Sequence, residues 1–205
     1  MEIIDLSKTS DLEASKRATE VLRRGGLIVY PTETCYGLGV MITNKMAVEK
    51  LWKFKGERGD KPVLVAINTM LMAKKYAEIN NIFKAVARKY WPGPVSMVTK
   101  SRKNIPEKIR GGKPFIGLRM PDQSLILKIV KSLKVPVTST SANISGGKNP
   151  YSLEQFQNET PKDRIELVDL FIDAGHIPER LPSTLIDTTE GTVKVLRQGE
   201  VVVKI

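Results

Sequence analysis

The chain has 205 residues, 41% of them hydrophobic, and 33 Lys and Arg against 22 Asp and Glu give a formal net charge of +11. One cysteine and one histidine exclude an internal disulfide and a cysteine zinc cluster, and they argue against His-rich metal sites and a Ser-His-Asp triad. No apolar run nears the roughly 18 residues of a membrane span, and Met1-Glu2-Ile3-Ile4-Asp5 lacks a secretory n-region and h-region, so one cytoplasmic domain over 1–205, without membrane contact, is expected.

In chain order, Asp11 to Arg24 places Leu12, Ala14, Ala18, Val21 and Leu22 near helical spacing, with Asp11 as the expected cap and Gly25-Gly26 as the stop. Leu27–Tyr30 reads as a strand that ends in a polar loop, Pro31 to Gly39. Lys45–Phe54 reads as a helix and Val63–Ile67 as a short buried strand. Met70–Ala77 and Asn81–Tyr90 are helical, the second stopped by Trp91-Pro92-Gly93-Pro94. Val95–Thr99 and Ile116–Arg119 are strands, Ser124–Ser132 a helix and Val135–Ser139 a strand. Thr184–Asp187, Val193–Arg197 and Val201–Ile205 close the chain as strands. Helices between strands favour an α/β fold, and the irregular spacing predicts a twisted mixed open sheet with flanking helices in a single domain.

The charge is unevenly spread. Nine Lys/Arg and only Glu107 lie between Lys84 and Lys113, whereas nine acids face Lys162, Arg164 and Arg180 between Tyr151 and Glu190. A basic face raises the local concentration of anions such as nucleotides, phosphates or RNA. No P-loop or Rossmann glycine signature is present, so nucleotide binding would use side-chain cations and polar loops. Lys55-Gly56-Glu57-Arg58-Gly59-Asp60-Lys61-Pro62 supplies the cations. Thr138-Ser139-Thr140-Ser141-Ala142-Asn143-Ile144-Ser145-Gly146-Gly147 supplies hydroxyls and an amide that can bind phosphate or an amino acid.

Six segments, in order, carry a resemblance: Pro31-Thr32-Glu33-Thr34-Cys35-Tyr36-Gly37-Leu38, the Lys55 to Pro62 loop, Gly117-Leu118-Arg119-Met120-Pro121, Thr140-Ser141-Ala142-Asn143-Ile144-Ser145-Gly146, Pro182-Ser183-Thr184-Leu185-Ile186-Asp187, and Leu196-Arg197-Gln198-Gly199. Over residues 10 to 200 the chain resembles the YrdC-type threonylcarbamoyl-AMP synthases, in their single-domain form. The resemblance implies a YrdC-like α/β fold with a basic concave face. It also implies a nucleotidyltransferase that makes threonylcarbamoyl-AMP and pyrophosphate from L-threonine, bicarbonate and ATP, for threonylcarbamoyladenosine on tRNA. Magnesium is expected with ATP, and no protein metal site is. Implied partners are downstream threonylcarbamoyl-transfer proteins, with direct binding of double-stranded RNA or tRNA left open.

Matching motif to motif assigns Lys55 and Arg58 to catalysis and to the ATP phosphates. Thr32, Thr34, Tyr36, Lys61, Arg119, Ser139 and Ser183 fall to threonine, and Ser141, Asn143, Asn149 and Arg197 to ATP. One position departs: the family pattern has lysine and arginine separated by one residue, whereas Glu57 stands in the second place here and Arg58 follows. Arg58 is expected to take the arginine's role. Cys35 reads as a small packing residue, and His176 is given no role. The competing function classes are a double-stranded RNA or nucleotide binding module without turnover and a regulatory factor.

Overall fold

The computed structural model describes residues 1–56, 61–102 and 105–204. Its elements are β1 (Glu2–Asp5), α1 (Asp11–Arg23), β2 (Ile28–Pro31), β3 (Tyr36–Gly39), α2 (Lys45–Lys55), β4 (Leu64–Ala66), α3 (Met70–Tyr76), α4 (Asn81–Tyr90), β5 (Val95–Lys100), α5 (Glu107–Arg110), β6 (Phe115–Arg119), α6 (Ser124–Leu133), β7 (Val137–Thr138), β8 (Thr140–Ser141), α7 (Leu153–Glu159), α8 (Lys162–Ile165), β9 (Leu170–Asp173), β10 (Thr184–Asp187) and β11 (Lys194–Arg197). The mixed α/β reading holds, with the strands divided between two sheets. One sheet has the order β1-β9-β2-β3-β8 and the other β11-β10-β5-β6-β4-β7. Both mix parallel and antiparallel pairs, for example β1 with β9 parallel and β2 with β3 antiparallel.

The sheets meet at one crossing. The expected strand over 135–139 is two short strands, β7 in one sheet and β8 in the other, with Ser139 between them. Thr138 secures the crossing: its amide donates to the Val40 carbonyl, and its hydroxyl donates to the Leu38 carbonyl and accepts from the Val40 amide. All these groups are buried, so each bond avoids the cost of an unpaired polar atom.

Helices cover the sheets as their apolar spacing dictates. Ala14, Ala18, Val21 and Leu22 of α1 pack with Leu125, Ile126, Ile129 and Val130 of α6 against Ile28, Tyr30 and Leu170. Each large aliphatic side chain so buried contributes about 1.5–3 kcal/mol. The larger core lies across the sheets from this layer. In it Phe54 stacks on Phe156 at 6.2 Å, Phe156 meets Phe171 at 5.3 Å, and Phe171 meets Tyr36 at 4.9 Å. This aromatic chain joins α2, α7, β9 and β3.

Three expectations are corrected. The cap of α1 is Ser10, not Asp11: its hydroxyl accepts from the Glu13 amide while the Glu13 carboxylate accepts from the Ser10 amide. Residues 201–204 do not form a strand, because side chains take their backbone groups. The Val201 carbonyl accepts from the Thr184 hydroxyl at 2.6 Å, and the Lys204 amide donates to the Tyr90 hydroxyl at 2.9 Å. The loop from Pro31 to Gly39 contains a strand, β3, that pairs with both β2 and β8. Strand β1 and helix α7 carried too few periodic apolar positions to stand out in the sequence, whereas β9 did have a legible apolar run, Leu170-Phe171-Ile172, that the sequence reading passed over. Among the described residues no helix is long and apolar enough to cross a membrane.

Candidate anion-binding site

The turn after β2 is built by Thr32. Its hydroxyl donates to the Cys35 carbonyl at 2.7 Å and accepts from the amides of Thr34 and Cys35, both at 3.2 Å. A hydroxyl two or three residues ahead of the amides it caps is the usual side-chain turn device. The turn reverses the chain into β3 and sets Thr34 and Cys35 against a cavity. The Thr34 hydroxyl lies 3.1 Å from that of Thr32. Burial pushes the Cys35 thiol up, so it stays neutral and packs, in keeping with the sequence reading. Tyr36 turns away from the cavity into the core, where its hydroxyl accepts from the Ala174 amide and donates to the Gly175 carbonyl, both at 2.8 Å.

The crossing between the sheets delivers Ser139, Thr140 and Ser141 to the same cavity. Lys55, only 3% exposed, anchors the loop that follows. Its ammonium donates to the carbonyls of Ser141 (3.1 Å) and Asn143 (2.7 Å) and to Asn143 Oδ1 (2.9 Å). The Ser141 hydroxyl donates to the same Oδ1 at 2.7 Å. Asn143 is thereby committed within the loop, while Ser141 and Asn149 face the cavity. Lys61 is exposed beside Pro62, which lines the cavity. Arg58, and the Glu57 departure with it, lie outside the described residues.

Two arginines oppose each other. Arg119, 5% exposed at the end of β6, pairs with Glu33. Its Nε and the second carboxylate oxygen of Glu33 are buried without a partner among the described residues. Arg197, at the end of β11, donates through Nη2 to the Ser183 carbonyl at 2.8 Å and to the Ser183 hydroxyl at 3.2 Å. The Ser183 hydroxyl also meets that of Ser96 at 2.9 Å. Burial, and after it the charge of Arg119, holds the Arg197 pKa below the ordinary arginine value. An anion seated between the two guanidiniums would offset both costs.

The cavity encloses about 500 Å³, a size ordinary for a small-molecule site. Of the residues chosen from sequence it gathers Thr32, Thr34, Arg119, Ser139, Ser141, Asn149, Ser183 and Arg197; Tyr36, Lys55, Lys61 and Asn143 lie outside its lining. It adds Arg110, Lys113 and Arg180, which sequence reasoning did not single out. The basic count between Lys84 and Lys113 held the signal for the first two, whereas Arg180 sits in an acidic stretch that hid it. Among the described residues five cations and one carboxylate, Asp187, line the space. His176 is exposed and outside it. Among the described residues no group of three or more His, Cys, Asp or Glu could hold a metal ion.

The Sua5/YciO/YrdC family model, described as telomere recombination, matches residues 20–199. The chain is 32% identical over 183 residues to a threonylcarbamoyl-AMP synthase of Pyrococcus abyssi, covering 89% of this chain and 53% of that protein. It therefore spans about half the length of that relative. A putative threonylcarbamoyl-AMP synthase of Methanocaldococcus jannaschii is 31% identical, with 91% of this chain and 88% of that one covered. The crystal structure of P. abyssi Sua5 complexed with L-threonine superposes with a TM-score of 0.88 at 30% identity, covering 97% of this chain and 58% of that one. Escherichia coli YciO superposes with a TM-score of 0.81 at 27% identity, covering 97% and 94%.

Proposed function

The chain belongs to the Sua5/YciO/YrdC family, and on that premise we propose that it is a threonylcarbamoyl-AMP synthase, joining L-threonine, bicarbonate and ATP into threonylcarbamoyl-AMP with release of pyrophosphate. The observation that carries this reading is the pairing of Arg119 and Arg197 with the hydroxyls of Thr34, Ser139, Ser141 and Ser183 around one enclosed cavity. The reactants are an amino-acid carboxylate, bicarbonate and a triphosphate, and their mutual repulsion is the first barrier to reaction. Among the described residues an excess of three positive charges, with Glu33 counted against Arg119 and Asp187 against the rest, lowers it before any chemistry begins.

The reaction runs in two steps. The threonine amine, as its neutral form, attacks the carbon of bicarbonate; a C–O bond breaks, that oxygen leaves as water with a proton from the amine, and the N-carboxy-threonine carbamate forms. A carboxylate oxygen of that carbamate then attacks the α-phosphorus of ATP, and the bond to the β-phosphate oxygen breaks. Arg119 is suited to the threonine carboxylate, because its planar fork, with Nη1 3.5 Å from the Ser139 hydroxyl, lines the same cavity as Thr34. Arg197 with Arg110 and Lys113 is suited to the phosphates, where negative charge gathers as pyrophosphate leaves. Ser139 and Ser141 supply donors between the two. Lys55 reaches the nucleotide through the loop it anchors, by fixing Ser141. Thr32 positions Thr34. Alignment of the two carboxylates with the phosphate supplies the remainder of the rate.

Pyrophosphate release by the purified protein, with threonine and bicarbonate each present or omitted, tests the reading. Release that needs both is the expected outcome. Nucleotide or double-stranded RNA binding without release in the full mixture would replace the synthase by a binding module. Direct tRNA binding and cytoplasmic placement belong to this proposal, the first tested by gel shift and the second by fractionation.

A further inference from the structure

A second concavity, about 530 Å³, lies between α3 and the end of α6, apart from the cavity described above. Among the described residues it is lined by Asn68, Thr69, Leu71, Met72 and four lysines, Lys74, Lys75, Lys131 and Lys134, and by no carboxylate. Leu71 is 79% exposed there. Leu71 and the half-buried Met72 give this lysine-lined concavity an apolar floor.

Lys134 gives an independent sign. It caps α6 in the left-handed conformation, with φ 57° and ψ 20°. Every other residue with positive φ in the described chain is a glycine. Glycine or asparagine usually takes this position because a β-carbon is strained there. A lysine placed at such a cap brings a cation to the groove at the expense of stability, the pattern of a residue kept for contact rather than for folding.

We propose that this groove docks an acidic segment of a partner protein, one that presents carboxylates to the lysines and an apolar side chain to Leu71 and Met72. Charge complementarity selects this occupant. A nucleic acid would meet the ammonium groups with phosphates yet leave Leu71 and Met72 in water, and among the described residues the groove offers neither arginine nor an aromatic ring for base contact. The groove also lies behind the catalytic cavity. Strands β4 and β7 pair as a ribbon, Val65 opposite Thr138 and Ala66 opposite Val137. The same ribbon begins at Leu64 and ends at Ser139, both in the cavity wall, and its other end leads to Asn68 and from Lys134. A docked partner would therefore sit one short ribbon away from the product. The inference does not depend on the synthase reading, since it rests on a separate surface.

The test is fluorescence anisotropy at low ionic strength, with a labelled acidic peptide carrying leucines at i and i+4, and with an RNA duplex as the comparison probe. Binding of the peptide should weaken about tenfold in the Lys131→Glu, Lys134→Glu double variant and weaken also in Leu71→Ser, with pyrophosphate release unchanged in both. Lys134→Gly should raise Tm while weakening the peptide. Equal peptide binding by all variants, or none by the wild type, overturns the proposal. So does loss of RNA binding alone in the lysine variants, or sedimentation showing a dimer that those variants dissociate, which would assign the groove to nucleic acid or to a second copy.

Discussion

Arg197 is held over Ser183 by three hydrogen bonds and faces the charge of Arg119 across a half-buried space. Arg197→Ala removes the charge and the fork together. We expect kcat/KM for ATP in pyrophosphate release to fall by about two orders of magnitude, the equivalent of one or two charge-assisted hydrogen bonds. Wild-type ATP dependence in that variant would remove Arg197 from the proposed phosphate site. Arg119 differs, because Glu33 already compensates it. Glu33→Gln leaves a buried guanidinium with a neutral partner, which should destabilise the protein by about 3 kcal/mol in urea unfolding. Inorganic pyrophosphate should then raise the Tm of the Glu33→Gln protein more than that of the wild type, since the anion supplies the missing charge. Equal shifts would mean that Glu33 does not screen the site. Glu33 stood in the motif without an assigned role, because the sequence could not show which cation it meets.

At the scale of elements, the site depends on how closely chain segments approach. A β-carbon on Gly199 would lie 2.0 Å from the Pro182 carbonyl oxygen and 2.6 Å from the Thr184 amide nitrogen. Both are backbone atoms, so Gly199→Ala must push the segment that carries Ser183. Loss of stability and a fall in kcat together are expected, read by thermal melting and pyrophosphate release; a normal enzyme would show that the segment is free to move. Phe156→Ala tests the aromatic chain behind β3. It removes the ring between Phe54 and Phe171 and should cost about 3–5 kcal/mol. Helix α7, which carries Phe156, was not legible in the sequence. It has one fully buried apolar residue and is held by its packing rather than by its own periodicity.

For the whole molecule, charge and burial set the response to solution conditions. Burial pushes the Tyr30 hydroxyl up from 10.0 to about 12, and burial raises Tyr36 as well. Both phenols are favoured as neutral groups in the fold, so their contribution is fully present below pH 10 and is lost as pH rises toward 12. Unfolding free energy should fall over that window. Absorbance of tyrosinate should show Tyr30 ionising with unfolding; ionisation at the ordinary value in the folded protein would contradict the burial. The basic cavity adds a salt response: ATP binding should weaken as ionic strength rises, because its charges act partly through solvent.

The sequence by itself determined the local grammar. Apolar spacing located α1, α2, α4 and α6, and the β-branched runs located β2, β5, β6 and β10, because side-chain periodicity and turn residues act over a few positions. The order of motifs pointed to the family. The tertiary structure alone decided which cations share a space. Arg119 and Arg197 are 78 positions apart, and they are brought together by the pairing of β6, β5, β10 and β11 within one sheet. It also decided that Lys55 anchors a loop and that Tyr36 belongs to the core. Those outcomes follow from hydrogen-bond satisfaction in a buried environment, which no window of sequence contains.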